Sequence, residues 1–359
     1  MKHVWDDLNL WWTETPEGQR VPNEVKALYA LRDLPGGDTV TRIINWRIQE
    51  KALAFRMYME YLPFGDALDL TKQHKGGLRR GHRLKWIPEP FIWHAFENLA
   101  TAGQLMEHGG LTPGQNQTWT PIIHRDMKTA NVLLGEPSND RYRKYPQVKL
   151  ADFGFALFMP ANDTRDPTSI YPLGTPGTRA PEQDHHILNN ETQLRRLSEK
   201  TNVFGVGITI AMLIKLDNGE NYRATGKHWA STPRWSDEIE NQYSESLLRL
   251  VTQCMSYDPD RRPTFTTVLA KVRRHTSGGF DEEARGLWNA DTGDRGWLMN
   301  ALNLTVTDKY ALWARLDELP PPFDEDKWPA PPTEKDYDDD VNGDIMEGRE
   351  AGTEIDISE

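Results

Sequence analysis

An ordered series of four polar motifs constrains this chain more than any other feature. Residues 124–131 read His124-Arg125-Asp126-Met127-Lys128-Thr129-Ala130-Asn131. Twenty-one residues after Asn131 stands Asp152-Phe153-Gly154, behind the apolar run Val148-Lys149-Leu150-Ala151. Next come Gly174-Thr175-Pro176-Gly177-Thr178-Arg179-Ala180-Pro181-Glu182 and then Asp258-Pro259-Asp260-Arg261-Arg262-Pro263-Thr264. From residue 66 onward the pattern is mostly helical, over 66–73, 89–107, 181–190, 201–215, 244–256 and 264–274. Val132–Leu134 and Val148–Leu150 are short apolar segments that predict a small hairpin within this helical part.

The first motif fixes five residue types in eight positions, which chance would produce in roughly one such chain in ten thousand at about 1/20 per position. With the order and spacing of the other three, the sequence resembles the eukaryotic-type protein kinases, most closely their Ser/Thr branch, over roughly residues 20–275. The resemblance implies an α+β, two-lobed protein-kinase-like fold with a truncated N-lobe and a mostly helical C-lobe. It implies four regions: residues 1–63, a partial N-lobe and hinge; 64–275, the C-lobe; 276–319, a helical extension; and 320–359, an acidic tail.

The implied chemistry is transfer of a phosphoryl group from ATP, with Mg²⁺, to Ser or Thr of a protein substrate. Such an enzyme holds a hydroxyl in line with the γ-phosphate and neutralises phosphate charge. By the family pattern Asp126 orients the substrate hydroxyl and Lys128 contacts the transferring phosphate. Asn131 and Asp152 supply the hard oxygen ligands that Mg²⁺ prefers. Met59-Glu60-Tyr61-Leu62 matches the hinge. Met59 is then the gatekeeper, the Glu60 carbonyl and Leu62 amide meet adenine, and Leu133 packs beneath the ring. Glu24 falls where the family places the partner of a strand-borne lysine, and Lys2 is the lysine at the usual distance before it. Glu182 and Arg262 match a buried ion pair that holds the activation segment. Arg125 and Thr175 match that segment's anchors, with Arg125 facing a phosphate on a hydroxyl-rich stretch that holds Thr164, Thr168, Ser169 and Tyr171.

The chain departs from the pattern in three places. No G-x-G-x-x-G loop precedes Glu24, which leaves two further readings open: a piece of a longer active kinase, or a non-catalytic kinase-like scaffold. Asn202 stands where the family carries Asp, so one acceptor oxygen and the charge are lost. Polar insertions occur at Gly109–Pro121 and Gly135–Pro146.

Nearer the N-terminus, Val25, Leu28, Ala30 and Leu31 recur at helical spacing behind Asn23, the expected cap. Pro35-Gly36-Gly37-Asp38 predicts a turn, and 40–48 and 53–61 predict strands. From Pro320 to Glu359 there are 14 Asp/Glu against 3 Lys/Arg, so the tail carries −11 of the net −12. The tail is Pro-rich and short of apolar surface, which predicts disorder. The nearly neutral body lacks the basic footprint of a nucleic-acid binder. No apolar run approaches the ~20 residues of a membrane span. Cys254 alone excludes an internal disulfide and fits a reducing compartment, hence an intracellular site, cytoplasmic or nuclear; its apolar helix predicts a buried thiol. Asp338–Ile345 copies half of a calcium loop without its closing Glu, and His185-His186 lacks a third ligand. A helix over Asp308–Leu319 is expected to pack back on the helical part. Oligomeric state is unknown.

Overall fold

The structure is a computed structural model that describes residues 2–3, 12–14, 20–49, 54–77, 86–137, 145–160, 173–183, 196–217 and 234–276. The expectations for residues 161–172, 184–190 and 277–359 lie outside the described residues, as do residues 138–144 of the Gly135–Pro146 insertion; of the helix expected over 181–190 only the 310 turn Pro181–Gln183 is described.

The first strand is β1 (Lys2–His3). A small hairpin of β2 (Trp12–Glu14) and β3 (Arg20–Pro22) leads directly into α1 (Asn23–Arg32). Beyond it come β4 (Ile43–Gln49) and β5 (Ala54–Met59), which join β1 in one antiparallel sheet of order β1-β5-β4. Lys2 pairs with Phe55 on β5. A register shift between Ile43 and Asn45 interrupts the β4–β5 ladder. Asn23 is not the cap of α1. Pro22, at φ −57° and ψ 136°, takes the cap position, makes no side-chain capping bond, and Asn23 is the first helical residue. The fixed φ of proline, already near the helical value, starts the helix without a side-chain acceptor. Val25, Leu28 and Leu31 then bury one stripe of α1.

The helical part is built on two apolar helices. The first of them, α3 (Glu89–His108), follows α2 (Ala67–Gly77) and ends at Gly109 in the left-handed region, φ 62°. Two-residue strands β6 (Ile122–Ile123) and β9 (Leu157–Phe158) pair across the motif region. Between them, after the 310 turn Thr129–Asn131, β7 (Val132–Gly135) and β8 (Gln147–Leu150) form the expected hairpin. The second apolar helix, α4 (Glu199–Lys215), opens on a capping box between Ser198 and Thr201. It is buried from Thr201 through Ile214, as expected of a helix that is apolar all round. After the short helix α5 (Asp237–Gln242), α6 (Glu245–Cys254) packs on α4 and α7 (Phe265–Thr276) on α3. The turn after α1 ties into the hairpin, since the Thr41 amide donates to the Leu150 carbonyl at 2.9 Å. Residues 64–65 tie in as well: the Phe64 amide donates to the Leu134 carbonyl and the Leu134 amide to the Gly65 carbonyl. The motifs therefore lie on loops held between α3, α4 and the hairpin.

Candidate active site

The site is assembled by backbone ladders that bring the separate motifs to one place. Antiparallel pairing of Val132 with Leu150 sets Asn131 beside Ala151, and the Ala151 amide donates to the Asn131 carbonyl at 2.9 Å. Asn131 and Asp152 are thereby delivered to neighbouring positions at one end of the hairpin. The Asn131 amide nitrogen donates to the Asp126 carbonyl at 2.8 Å and to Asp126 Oδ2 at 3.1 Å. With Nδ2 committed to Asp126, the side-chain oxygen is the end left for a ligand. Asp152 sits at φ 57° and accepts from the Gly154 amide at 3.3 Å. An amide oxygen and a carboxylate make a hard donor set that fits Mg²⁺.

Asp126 is 3% exposed, and donors surround its carboxylate. Lys128 Nζ donates to Oδ2 at 2.7 Å and the Thr175 amide donates to Oδ1 at 2.7 Å. The same Lys128 ammonium reaches Thr175 Oγ1 at 2.6 Å. Charge-assisted bonds of this kind fix both the plane and the position of the carboxylate.

Beneath the site His124 is fully buried. Its Nε2 bonds the Ala151 carbonyl at 3.0 Å and its Nδ1 accepts from the Asp126 amide at 3.3 Å. This pairing sets the neutral tautomer with the proton on Nε2, and burial holds the ring below the usual histidine range. Phe153 stacks edge-on against it, with centroids 4.7 Å apart. Asn202 on α4 accepts from the His124 amide at 2.9 Å through Oδ1 and donates to the Ile122 carbonyl at 2.7 Å through Nδ2. Reading Asn202 as a weakened aspartate missed half of its role, because its second group is a donor that an aspartate lacks. Gly205, one turn further along α4, lets Met127 approach closely. A Cβ there would lie 2.9 Å from Met127 Cβ and Sδ.

Of the residues expected at the hinge, Met59 ends β5 opposite Ile43, and Leu62 lies against Gly135 of β7. Leu133 bridges Asp66. The Glu60 side chain is held at three points. Lys149 Nζ donates to both carboxylate oxygens at 2.8 Å, and the Arg42 amide donates to Oε1 at 2.6 Å. The hinge motif pointed only to the Glu60 carbonyl, and Lys149 was missed. A buried lysine within an apolar strand was the available signal, since lysine is buried almost only when paired.

Glu24 is buried in the first turn of α1, and Lys2 lies on β1, the sheet neighbour of β5. α1 reaches β9 through Lys26, whose ammonium lies 4.4 Å from the Phe158 ring centroid. Glu182 and Arg262 meet as a bidentate pair at 2.6 and 2.8 Å, with side chains 1% and 0% exposed. Thr201 Oγ1 also donates to Glu182, while Arg262 donates further to the Ser256, Lys200 and Tyr257 carbonyls. Arg125, at φ 67°, donates to the Phe155 carbonyl at 2.6 Å. Among the described residues no cluster of three or more His, Cys, Asp or Glu is placed to hold a metal. Nor is any helix among them long and apolar enough to cross a membrane.

A family model described as the protein kinase domain matches residues 8–272. An Arabidopsis thaliana protein named "Probable LRR receptor-like serine/threonine-protein kinase" is 28% identical over 282 residues, 74% of this chain and 28% of its own. The G2-specific protein kinase fin1 of Schizosaccharomyces pombe is 25% identical over 266 residues, 70% of this chain and 32% of its own. The "Probable serine/threonine-protein kinase nek2" of Dictyostelium discoideum is 25% identical over 273 residues, 74% of this chain and 55% of its own. The chain thus spans about a quarter to about half of the length of these relatives. With a match over well more than half of its residues, the chain belongs to the protein kinase family, on the side of its Ser/Thr members.

Proposed function

We propose that the chain transfers the γ-phosphoryl group of Mg-ATP to a Ser or Thr hydroxyl of a protein substrate. The observation that carries this reading is the Asp126 carboxylate, held by Lys128, Asn131 and the Thr175 amide one hairpin end away from Asp152. In the step, the hydroxyl oxygen forms a bond to Pγ as the bond from Pγ to the β,γ-bridging oxygen breaks. ADP leaves, and the hydroxyl proton passes toward Asp126. Asp126 orients the hydroxyl, Lys128 faces the transferring phosphate, and Asn131 and Asp152 are the residues that would hold Mg²⁺, which neutralises phosphate charge when bound. Met59, the Glu60 carbonyl, the Leu62 amide and Leu133 form the adenine site. Glu24 with Lys2 steadies the phosphates. Glu182–Arg262 and Thr175 hold the activation segment, and Arg125 answers to its phosphorylation.

The test compares the chain with Asp126→Asn in one phosphorylation assay, alongside thermal stabilisation by ATP with and without Mg²⁺. Stabilisation should require Mg²⁺ and approach about 2.7 kcal/mol at a hundred times the dissociation constant. Asp126→Asn should keep that stabilisation and lose transfer. Absence of stabilisation at millimolar Mg-ATP would favour a kinase-like scaffold, and transfer that survives Asp126→Asn would remove the assigned role.

A further inference from the structure

Gln183 directly follows Glu182 at the end of the 310 turn Pro181–Gln183, and it is 4% exposed. Its side chain is used at both ends. Oε1 accepts from the Ala180 amide at 3.0 Å, which fixes the orientation of the amide plane. Nε2 donates to the Arg125 carbonyl at 2.9 Å and to the Leu173 carbonyl at 3.2 Å. These two carbonyls are not arbitrary. One belongs to the peptide that enters Asp126, the other to the peptide that enters Gly174-Thr175. A single amide nitrogen therefore bridges the catalytic loop and the activation segment just behind the contact in which the Thr175 amide holds Asp126 Oδ1 at 2.7 Å.

The surrounding geometry leaves the bridge little slack. Arg125 lies in the left-handed region at φ 67°, a conformation costly for a residue with a Cβ, so its carbonyl direction must be held from outside. Gly174, at φ 110°, backs onto that same carbonyl: a Cβ there would lie 2.3 Å from Arg125 O and 3.5 Å from Gln183 Nε2. On its other side Arg179 grips the Gly174 carbonyl with Nε at 3.0 Å and Nη2 at 2.7 Å. The segment is thus pinned on both flanks, and Gln183 is the pin that reaches the catalytic loop.

We infer that Gln183 is a positioning residue for phosphoryl transfer: its amide fixes the Asp126–Thr175 contact and through it the placement of the carboxylate that meets the substrate hydroxyl. This rests on the function proposed above. Two variants separate the contributions. Gln183→Glu keeps the shape and the acceptor for Ala180 but sets an oxygen against two carbonyl oxygens. Gln183→Leu removes every polar contact. Both should lower kcat between about tenfold and a hundredfold, the range a misplaced reacting group produces, with KM for Mg-ATP within about twofold because the hinge and β7 are untouched. Hydrogen exchange at the Thr175 amide should accelerate in both, while exchange in residues 95–105 of α3, the control for global destabilisation, stays as in the wild type. Asp126→Asn is assayed alongside. An active wild type, an inactive Asp126→Asn and unchanged kcat in both Gln183 variants would overturn this inference and leave the function standing. A wild type that transfers no phosphate would instead overturn the function, and unaltered Thr175 exchange in both variants would overturn the positioning role on its own.

Discussion

Replacing Asn202 by aspartate restores the residue usual in the family and should nevertheless destabilise this chain. Asn202 is 2% exposed and meets one donor, the His124 amide, and one acceptor, the Ile122 carbonyl. An aspartate keeps the first bond and strengthens it, since a charged acceptor roughly doubles a hydrogen bond. The second bond inverts. A carboxylate oxygen then stands where Nδ2 donated at 2.7 Å, facing a carbonyl oxygen that has lost its donor. A buried unsatisfied group costs about 1–3 kcal/mol, and burying the anion adds to that. After subtracting the gain at His124, the net penalty of Asn202→Asp is about 2 kcal/mol at pH 8, or ~4–8 °C in the thermal midpoint of a domain of this size.

The penalty should depend on pH in a defined direction. Once protonated, the carboxyl introduced by Asn202→Asp can donate to Ile122 as the amide does. The fold therefore favours the neutral acid and raises its pKa above the unfolded value of about 3.9. A carboxyl raised on folding contributes stability below its unfolded pKa and loses it as pH climbs through the folded one. The gap between variant and wild type should therefore widen from pH 5 to pH 8 in urea unfolding. A variant as stable as the wild type at pH 8, or a gap that narrows with rising pH, would show that the Ile122 carbonyl does not depend on the Asn202 donor.

Arg262→Ala should cost about 3–5 kcal/mol, the usual loss when one partner of a buried pair is removed; a loss under about 1 kcal/mol by chemical denaturation would mean that Glu182 finds another partner. Burial, and after it the charge of Glu199, pushes Glu107 up to about 7 from 4.5, so its contribution is present in full below about pH 4.5 and lost as pH rises to about 7. Glu107→Gln should remove that slope and gain about 1–2 kcal/mol over wild type at pH 8, solvent screening at this partly open site holding the gain below the full value; parallel stability–pH curves for the two proteins would refute it. Thr129 Oγ1 is buried and meets no partner among the described residues, so Thr129→Val, which removes an unsatisfied hydroxyl at nearly constant shape, should be neutral or stabilising by about 1 kcal/mol; a drop in melting temperature would contradict this.

The helical framework was legible because its signals are local. The expected 89–107 and 201–215 correspond to Glu89–His108 and Glu199–Lys215. Both carry long apolar runs at helical spacing, a pattern that needs no partner to be recognised. The hairpin over 132–134 and 148–150 was legible for the same reason. The two-residue strands β6 and β9 were not, because two residues carry no periodicity and their partners lie more than thirty residues apart, Ile122 opposite Phe158 and Ile123 opposite Leu157.

The site divides along the same line. Its candidate acid, amide and lysine groups were named by the resemblance to the protein kinases, but what holds them was not. Asn202 reaches the His124 amide across 78 residues, Gln183 reaches the Arg125 carbonyl across 58, and Lys149 reaches Glu60 across 89. No local rule selects such partners. What Lys149 and Asn202 share is a polar group placed where its neighbours are buried. Lys149 lies between Val148 and Leu150, Asn202 between Thr201 and Val203, and all of these are buried. A buried polar group without a partner is costly enough that each one implies a bond somewhere. The existence of the Lys149 and Asn202 contacts was thus implied by composition within buried segments, that of Gln183 in its polar stretch was not, and the identity of the second partner is in every case a property of topology. That distinction bears on how variants of this chain should be chosen. Conservative exchanges at motif residues probe the reaction. Exchanges of Lys149, Gln183 or Asn202 for shape-matched residues of altered donor capacity probe the frame that makes the motif residues converge.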